Sequence, residues 1–348
     1  MSMVCLSCSK SDNLENEIIS DANEFIRGVD MSFLPQMEEN GVLYRDGNNN
    51  LDALQICKNN GVNTIRLRIW HSPTNNHSSL HEVKLLSSRI KALGLKVWLT
   101  VHYSDTWADP GKQDIPAVWK SLNFENLTDS VYHYTTEIMQ EIKPDYIQIG
   151  NEINLGFLHP YGDGYNHKEQ FISLLAKGIQ AVRDHNSNTQ IMLHYAGINK
   201  ASSFFTDLTA LDYDIIALSY YPIWHGKDLD QLATTLTNLN SQFGKKVLIA
   251  ETAYPFTLEW NDWTNNIIGS NDQLIPEYLA NPQGQKDFLL AIRKACKDNQ
   301  TLGFCYWGAE WIAFDGPESK NGSSWENQAL FDFNNTALPA FRAFNDEE

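Results

Sequence analysis

The chain has 348 residues, 42% of them hydrophobic and 20% charged, which suits one large globular domain or two small ones with a real core. Its formal net charge of −17 sets it against nucleic acid, anionic membranes and polyanionic substrates, all of which it would repel. Ten Trp, 14 Tyr and 16 Phe point instead to neutral ligands: several Trp sit in Gly/Asp/Asn-rich stretches, outside any periodic apolar run.

Met1 to Leu6 is too short for a signal peptide, and no later segment reaches the ~18 apolar residues of a membrane span. The run Leu6-Ser7-Cys8-Ser9-Lys10 resembles the end of a bacterial lipoprotein signal. Cys8 is then the lipidated residue, although Cys5 stands where a Leu is usual. On this reading residues 1–24 are a signal remnant and a polar, disordered tether. The protein is expected to be exported, as an outer-membrane or cell-surface lipoprotein or else periplasmic or secreted, with membrane attachment only through Cys8. Cys57, Cys296 and Cys305 show no metal or disulfide spacing and read as small buried hydrophobes.

From residue 25 on, eight apolar runs recur, each followed by a polar stretch and then a helical pattern: Phe25–Asp30, Thr64–Trp70, Lys96–Tyr103, Tyr146–Glu152, Gln190–Ala196, Ile215–Pro222, Lys246–Pro255 and Gly303–Glu310. Most are continuous rather than alternating, as expected for strands of a parallel sheet covered on both faces. The helices between them are expected at Leu51–Asn60, His81–Leu93, Thr128–Lys143, Lys168–His185, Ser203–Leu211, Asp228–Phe243 and Pro282–Asn299, with a short closing one at Leu338–Phe344. Gly61, Gly94 and Gly244 supply stop signals. The pattern predicts a single (β/α)8 TIM barrel over residues 25–348. The rival, a doubly wound sheet, wants a Gly-rich phosphate loop after the first strand, and Met31–Glu39 contains none. The long polar segments all follow strand ends, the side on which barrel active sites lie.

Two glutamates stand out by position, Glu152 at the end of Tyr146–Glu152 on the fourth strand and Glu251 at the end of Lys246-Val-Leu-Ile-Ala-Glu251 on the seventh. Strands four and seven face each other across a barrel mouth. Glycosidic cleavage needs such a pair, a carboxylic acid for the leaving oxygen and a carboxylate on the other face of the sugar. Glu152 must then stay protonated at rest and Glu251 charged, the latter helped by a nearby Arg. Arg66 and Arg68 alternate with apolar residues on the second strand, so that one of them is a candidate for the mouth.

Asn151-Glu152 resembles the acid/base motif of the large clan of (β/α)8 retaining glycosidases. Further motifs, in order, are Gly28-Val-Asp30, Arg66-Leu-Arg-Ile-Trp70, the run from His102 to Gln113, Gln148 to Asn154, Leu218 to Gly226, Glu251 to Phe256 and Trp325 to Asp332. Together they resemble the endo-β-1,4-galactanases, glycoside hydrolase family 53, from about Phe25 to the C-terminus. The resemblance implies β-1,4-galactan or galacto-oligosaccharides as substrate, Glu152 as acid/base and Glu251 as nucleophile. It also implies sugar contacts from Asn151, Arg68, His102, Tyr220 or Tyr221, and Trp307. Asp105 and Trp107 are candidates within the His102–Gln113 motif, and Trp325 for a more distant galactose. Trp70, Trp98 and Trp119 read as core. Some bacterial members hold calcium after the seventh strand; here that stretch keeps only Asp262 and Asn266 as oxygen ligands, short of the 6–8 oxygens calcium takes, so no metal is expected. The alternatives are a sister β-mannanase or β-glucanase, a barrel that binds glycan without cutting it, and a metal hydrolase built on His71, His77 and His81.

Overall fold

The computed structural model describes residues 24–345; Cys8 and the expected tether, apart from Glu24, lie outside them. Eight strands, β1 Ile26–Asp30, β2 Thr64–Ile69, β3 Lys96–Val101, β4 Tyr146–Ile149, β5 Gln190–Ala196, β6 Ile215–Ser219, β7 Lys246–Thr252 and β8 Gly303–Tyr306, close into a barrel. Every neighbouring pair is parallel, including β1 with β8. The (β/α)8 expectation holds for the whole described chain.

Local chemistry explains the helices. Asp52 Oδ1 accepts from the backbone N–H groups of Leu54 and Gln55 to start Ala53–Asn59, and Ser79 does the same for Leu80–Ala92. Gly244, at φ 60°, ends Leu229–Phe243 in the left-handed conformation that glycine takes without a Cβ clash. The helix expected from Thr128 begins earlier, at Phe124, because Asn123 caps it by accepting from Asn126 N–H. A short helix, Leu34–Glu39, and a two-residue hairpin ribbon, Arg45–Asp46 with Asn49–Asn50, fill the connection after β1; the sequence reading assigned neither. The closing segment, Pro339–Phe344, is 3₁₀ rather than α.

The core has two compartments. Outward-facing strand residues such as Ile65, Leu67, Ile147 and Ile249 pack under the helices, whereas Ile26, Trp98, Tyr146, Met192, Ile215, Leu248 and Cys305 plug the barrel interior. Above this apolar plug the inward residues turn polar: Asp30, Arg66, Thr100, Gln148 and His194 are all buried. Burying so many polar groups is tolerable only where they satisfy one another, and most of their atoms do so at the site, with Arg66 Nε and Gln148 Oε1 left without a partner. Cys57, Cys296 and Cys305 are buried free thiols, and Trp70, Trp98 and Trp119 are buried as expected.

Candidate active site

Strand periodicity alone would turn Glu251 away from the barrel. Leu248 and Ala250 face inward and Ile249 outward, so alternation sends the next residue outward. The register between β6 and β7 slips at this point: Leu218 pairs with Ile249, but Ser219 pairs with Glu251. Ala250 is the extra residue of a β-bulge, which re-aims the following side chain and brings Glu251 into the barrel. Glu152 reaches the same space differently. β4 ends at Ile149, Gly150 turns at φ 82°, and Glu152 itself sits at φ 47°, a left-handed conformation that costs a non-glycine residue about 1–3 kcal/mol.

One oxygen of each glutamate and a ring nitrogen of His194 lie within 4.8 Å of one another, the one such group of three potential metal-ligating side chains among the described residues. Arg66 ties the site together. Its Nη2 donates to Glu251 Oε1 at 2.7 Å and to Asn151 Oδ1 at 3.0 Å, and its Nη1 donates to Asp30 Oδ2 at 2.7 Å. Tyr221 Oη donates to the other Glu251 oxygen at 3.0 Å. Among the described residues no ion pair is made by Glu152; its Oε1 accepts from Ser219 Oγ at 2.6 Å.

The electrostatics follow from these partners. Burial pushes the Glu152 carboxyl up to about 8, and the negative charge of Glu251 adds to it, against a smaller pull from Ser219. Burial also raises Glu251, but Arg66 and Tyr221 oppose it, which makes Glu251 the charged member of the pair. His102 and His194 are held well below the usual imidazole range by burial and by Arg66, so both are neutral hydrogen-bonding groups near pH 7.

The two carboxyls open into a cavity of about 670 Å³, lined among others by Arg68, His102, Trp107, Asn151, Tyr221, Trp307 and Trp325. Of the two arginines on β2, both point inward. Arg68 has no carboxylate partner; Ser78 accepts from its Nε at 2.8 Å, and its guanidinium lies 3.9 Å from the Phe33 ring centroid and 4.4 Å from that of Trp107. Trp325 stands edge-on to Trp307 at 4.7 Å, in the wall of the same cavity. Two expected contacts fall elsewhere. Tyr220 is fully buried and donates to Gly226 O, because adjacent residues of extended chain face opposite ways. Asp105 accepts from Ser72 N and Ala117 N, so that it pins two loops and does not line the cavity. His77 pairs with Glu82 and Glu39, and His71 packs against Trp119 and Tyr134, far from a shared metal geometry.

The sequence reading missed Asp30, Ser219, His194, Trp224 and Trp311 as members of the site or its support. Ser219 and His194 lie inside apolar runs, where a polar residue at an inward register position is the available signal. Trp224 stood within the Leu218–Gly226 motif and is 55% exposed at the cavity rim.

The calcium question gains a residue. Asp262 Oδ2 and Asn266 Oδ1 are buried without partners, and so is Glu326 Oε2; Glu326 Oε1 accepts from Asn261 N–H and from Asn266 Nδ2. Two carboxylates and an amide oxygen are the hard donors calcium takes, so the donor set is larger than the Leu258–Asn266 stretch by itself offered.

The comparisons agree with this geometry. The family model described as Glycosyl hydrolase family 53 matches residues 26–344. An arabinogalactan endo-β-1,4-galactanase of Cellvibrio japonicus is 35% identical over 95% of this chain and 93% of its own length. An endo-β-1,4-galactanase of Bacillus subtilis is 32% identical over 92% and 85%. Among solved structures, the Ignisphaera aggregans GH53 catalytic domain superposes with a TM-score of 0.88 at 39% identity, covering 95% of this chain and 98% of that one. With a match that spans the whole barrel and both glutamates, the chain belongs to glycosyl hydrolase family 53.

Proposed function

We propose that the protein is an endo-acting β-1,4-galactanase that cleaves galactan and type I arabinogalactan with retention, Glu251 as nucleophile and Glu152 as general acid/base. Family membership and the two galactanase relatives support the substrate. The observation that carries the mechanism is the approach of the two carboxyls to within 4.8 Å. This approach of one oxygen to the other accords with the about 5–5.5 Å between retaining carboxyls and is short against the about 6.5–9.5 Å that leaves room for a water in an inverting pair.

In the first step the Glu251 carboxylate attacks the anomeric carbon while the Glu152 proton passes to the glycosidic oxygen, whose bond to that carbon breaks. The product is a galactosyl ester on Glu251. Esterification removes the charge of Glu251, which after burial is the largest cause that holds Glu152 protonated. Glu152 thereby becomes the base that takes a proton from water as the water oxygen attacks the same carbon and frees Glu251. Arg66, fixed by Asp30, stabilises the Glu251 carboxylate that departs. Where calcium binds, Asp262, Asn266 and Glu326 are the residues that would hold it, and it would supply a tie between the loops after β7 and β8, outside the bond-breaking steps.

The test is release of reducing ends from linear β-1,4-galactan, mannan, xylan and β-glucan, with Glu152→Ala and Glu251→Ala beside the wild type. Ends from galactan only, by the wild type only, with the β-anomer formed first by NMR, are expected. Cleavage of another glycan instead of galactan overturns the substrate, and binding without cleavage overturns the enzyme. Export rests on the Leu6–Lys10 run and on a substrate too large to enter a cell; mass spectrometry of a Cys8 peptide from cells tests lipidation.

A further inference from the structure

The loop after β7 carries a feature that the bond-breaking chemistry does not use. From Asn261 to Ile268 exposed and buried residues alternate without a break. The segment is anchored to the loop after β8 by two inward side chains and its backbone: Thr264 Oγ1 accepts from Gly322 N–H at 2.8 Å, Asn266 Nδ2 donates to Glu326 Oε1 at 3.3 Å, and Ile267 N–H donates to Ser324 O at 3.0 Å. A backbone held at this many points presents its outward side chains in fixed positions, which removes an ordering cost from binding. Those outward residues are Asn261, Trp263, Asn265 and Ile267.

Ile267 lines the cavity that holds the two glutamates. Four residues further back, at most about 14 Å along the chain, Trp263 is 55% exposed, and Trp260 just beyond it is 50% exposed. Asn261, between the two in sequence, lines a separate groove of about 340 Å³ together with Asp262 and Phe314. Half-exposed Trp in such number is unusual on a surface unless something covers it. In a chain of net charge −17, the outward strip carries no charge at all. Its indole, amide and aliphatic groups match a neutral polyhydroxyl chain: the ring meets the apolar C–H face of a pyranose, and each amide both donates to and accepts from hydroxyls. Lys320 Nζ lies 6.0 Å from the Trp263 centroid, at the outer limit of such contacts, and leaves the ring available.

We infer that the Asn261–Ile267 strip is a non-catalytic glycan-holding ledge, which continues the cleft at Ile267 and binds the outer galactosyl units of a polymer through Trp263 and Trp260. The inference rests on the galactanase reading and adds a binding site to it. Its consequence is a preference for polymer: a short oligosaccharide fills the cavity and never reaches the ledge.

The experiment compares wild type, Trp263→Ala, Trp263→Phe and Trp260→Ala/Trp263→Ala on linear galactan and on a short galacto-oligosaccharide, alongside affinity electrophoresis in galactan gels. An aromatic contact of roughly 0.5–1.5 kcal/mol corresponds to about a 2- to 12-fold loss per ring. KM for polymer is expected to rise by that factor for Trp263→Ala and further for the double variant, with Trp263→Phe between. Retardation in the gel should weaken in step, while kcat/KM on the oligosaccharide and the melting temperature stay unchanged. Equal polymer affinity in all four proteins overturns the ledge. So does a parallel loss on both substrates, or a fall in sedimentation mass that shows the patch to be a contact between copies. If the wild type releases no ends from either substrate, the galactanase reading fails instead.

Discussion

Replacing Glu251 by Gln isolates the charge that the mechanism assigns to it. The substitution keeps the shape and a hydrogen-bonding side chain beside Arg66 and Tyr221 but removes the negative charge within 4.8 Å of Glu152. Coulomb's law with an effective dielectric of about 20 gives about 3.5 kcal/mol for unit charges at that separation, or about 2.5 pH units. Spreading the charge over two oxygens and its pairing with Arg66 reduce this to about two. The sign is downward, because losing a like charge favours the ionised form. Glu152 is therefore expected to titrate near pH 6 in Glu251→Gln instead of about 8, still above an ordinary glutamate because burial remains. Carboxyl ¹³C NMR with labelled glutamate reads the midpoint directly, and Glu152→Gln identifies the resonance. A midpoint within about half a pH unit of the wild type would refute the reasoning and leave burial as the whole cause; Glu152 would then have no means of changing from acid to base when Glu251 is esterified.

Three more outcomes follow from the same contacts. Ser219→Ala removes the donor to Glu152 Oε1, a bond that favours the charged form, so the alkaline limb of kcat/KM, expected where Glu152 loses its proton, should move to higher pH. An unmoved limb separates Ser219 from the titration. Tyr221→Phe deletes a hydrogen bond to a carboxylate, of order 1.5–3 kcal/mol, and should lower kcat/KM on galactan about 10- to 150-fold with the fold intact by circular dichroism. A loss under threefold would contradict a role at Glu251. Asp30→Ala strips the buried Arg66 of one partner at 1% exposure. Breaking such a pair costs about 3–5 kcal/mol, to be read from urea midpoints, and a change below 1 kcal/mol would mean that Glu251 and Asn151 suffice to anchor the arginine.

The order of strands and helices was legible in the residues themselves, because strands buried on both faces must be continuously apolar and helices that cover them must be amphipathic. The two glutamates were legible for a related reason: each directly follows apolar strand residues, on strands that face each other across a barrel mouth. Which way such residues point was not. Glu251 faces inward because of the bulge at Ala250, and Glu152 because of its left-handed backbone. Both arise from how neighbouring strands settle against one another, which no single strand's pattern carries. The same limit explains why Tyr221 rather than Tyr220 meets Glu251, and why Asp105 pins loops instead of lining the cavity. It also explains Arg66, which the alternation of β2 offered on equal terms with Arg68. Closing the barrel placed Asp30, Asn151 and Glu251 around one guanidinium and three aromatic rings around the other. The sequence by itself determined the elements and the chemical groups at their ends; tertiary structure decided their direction and company, since those depend on contacts between residues far apart in the chain.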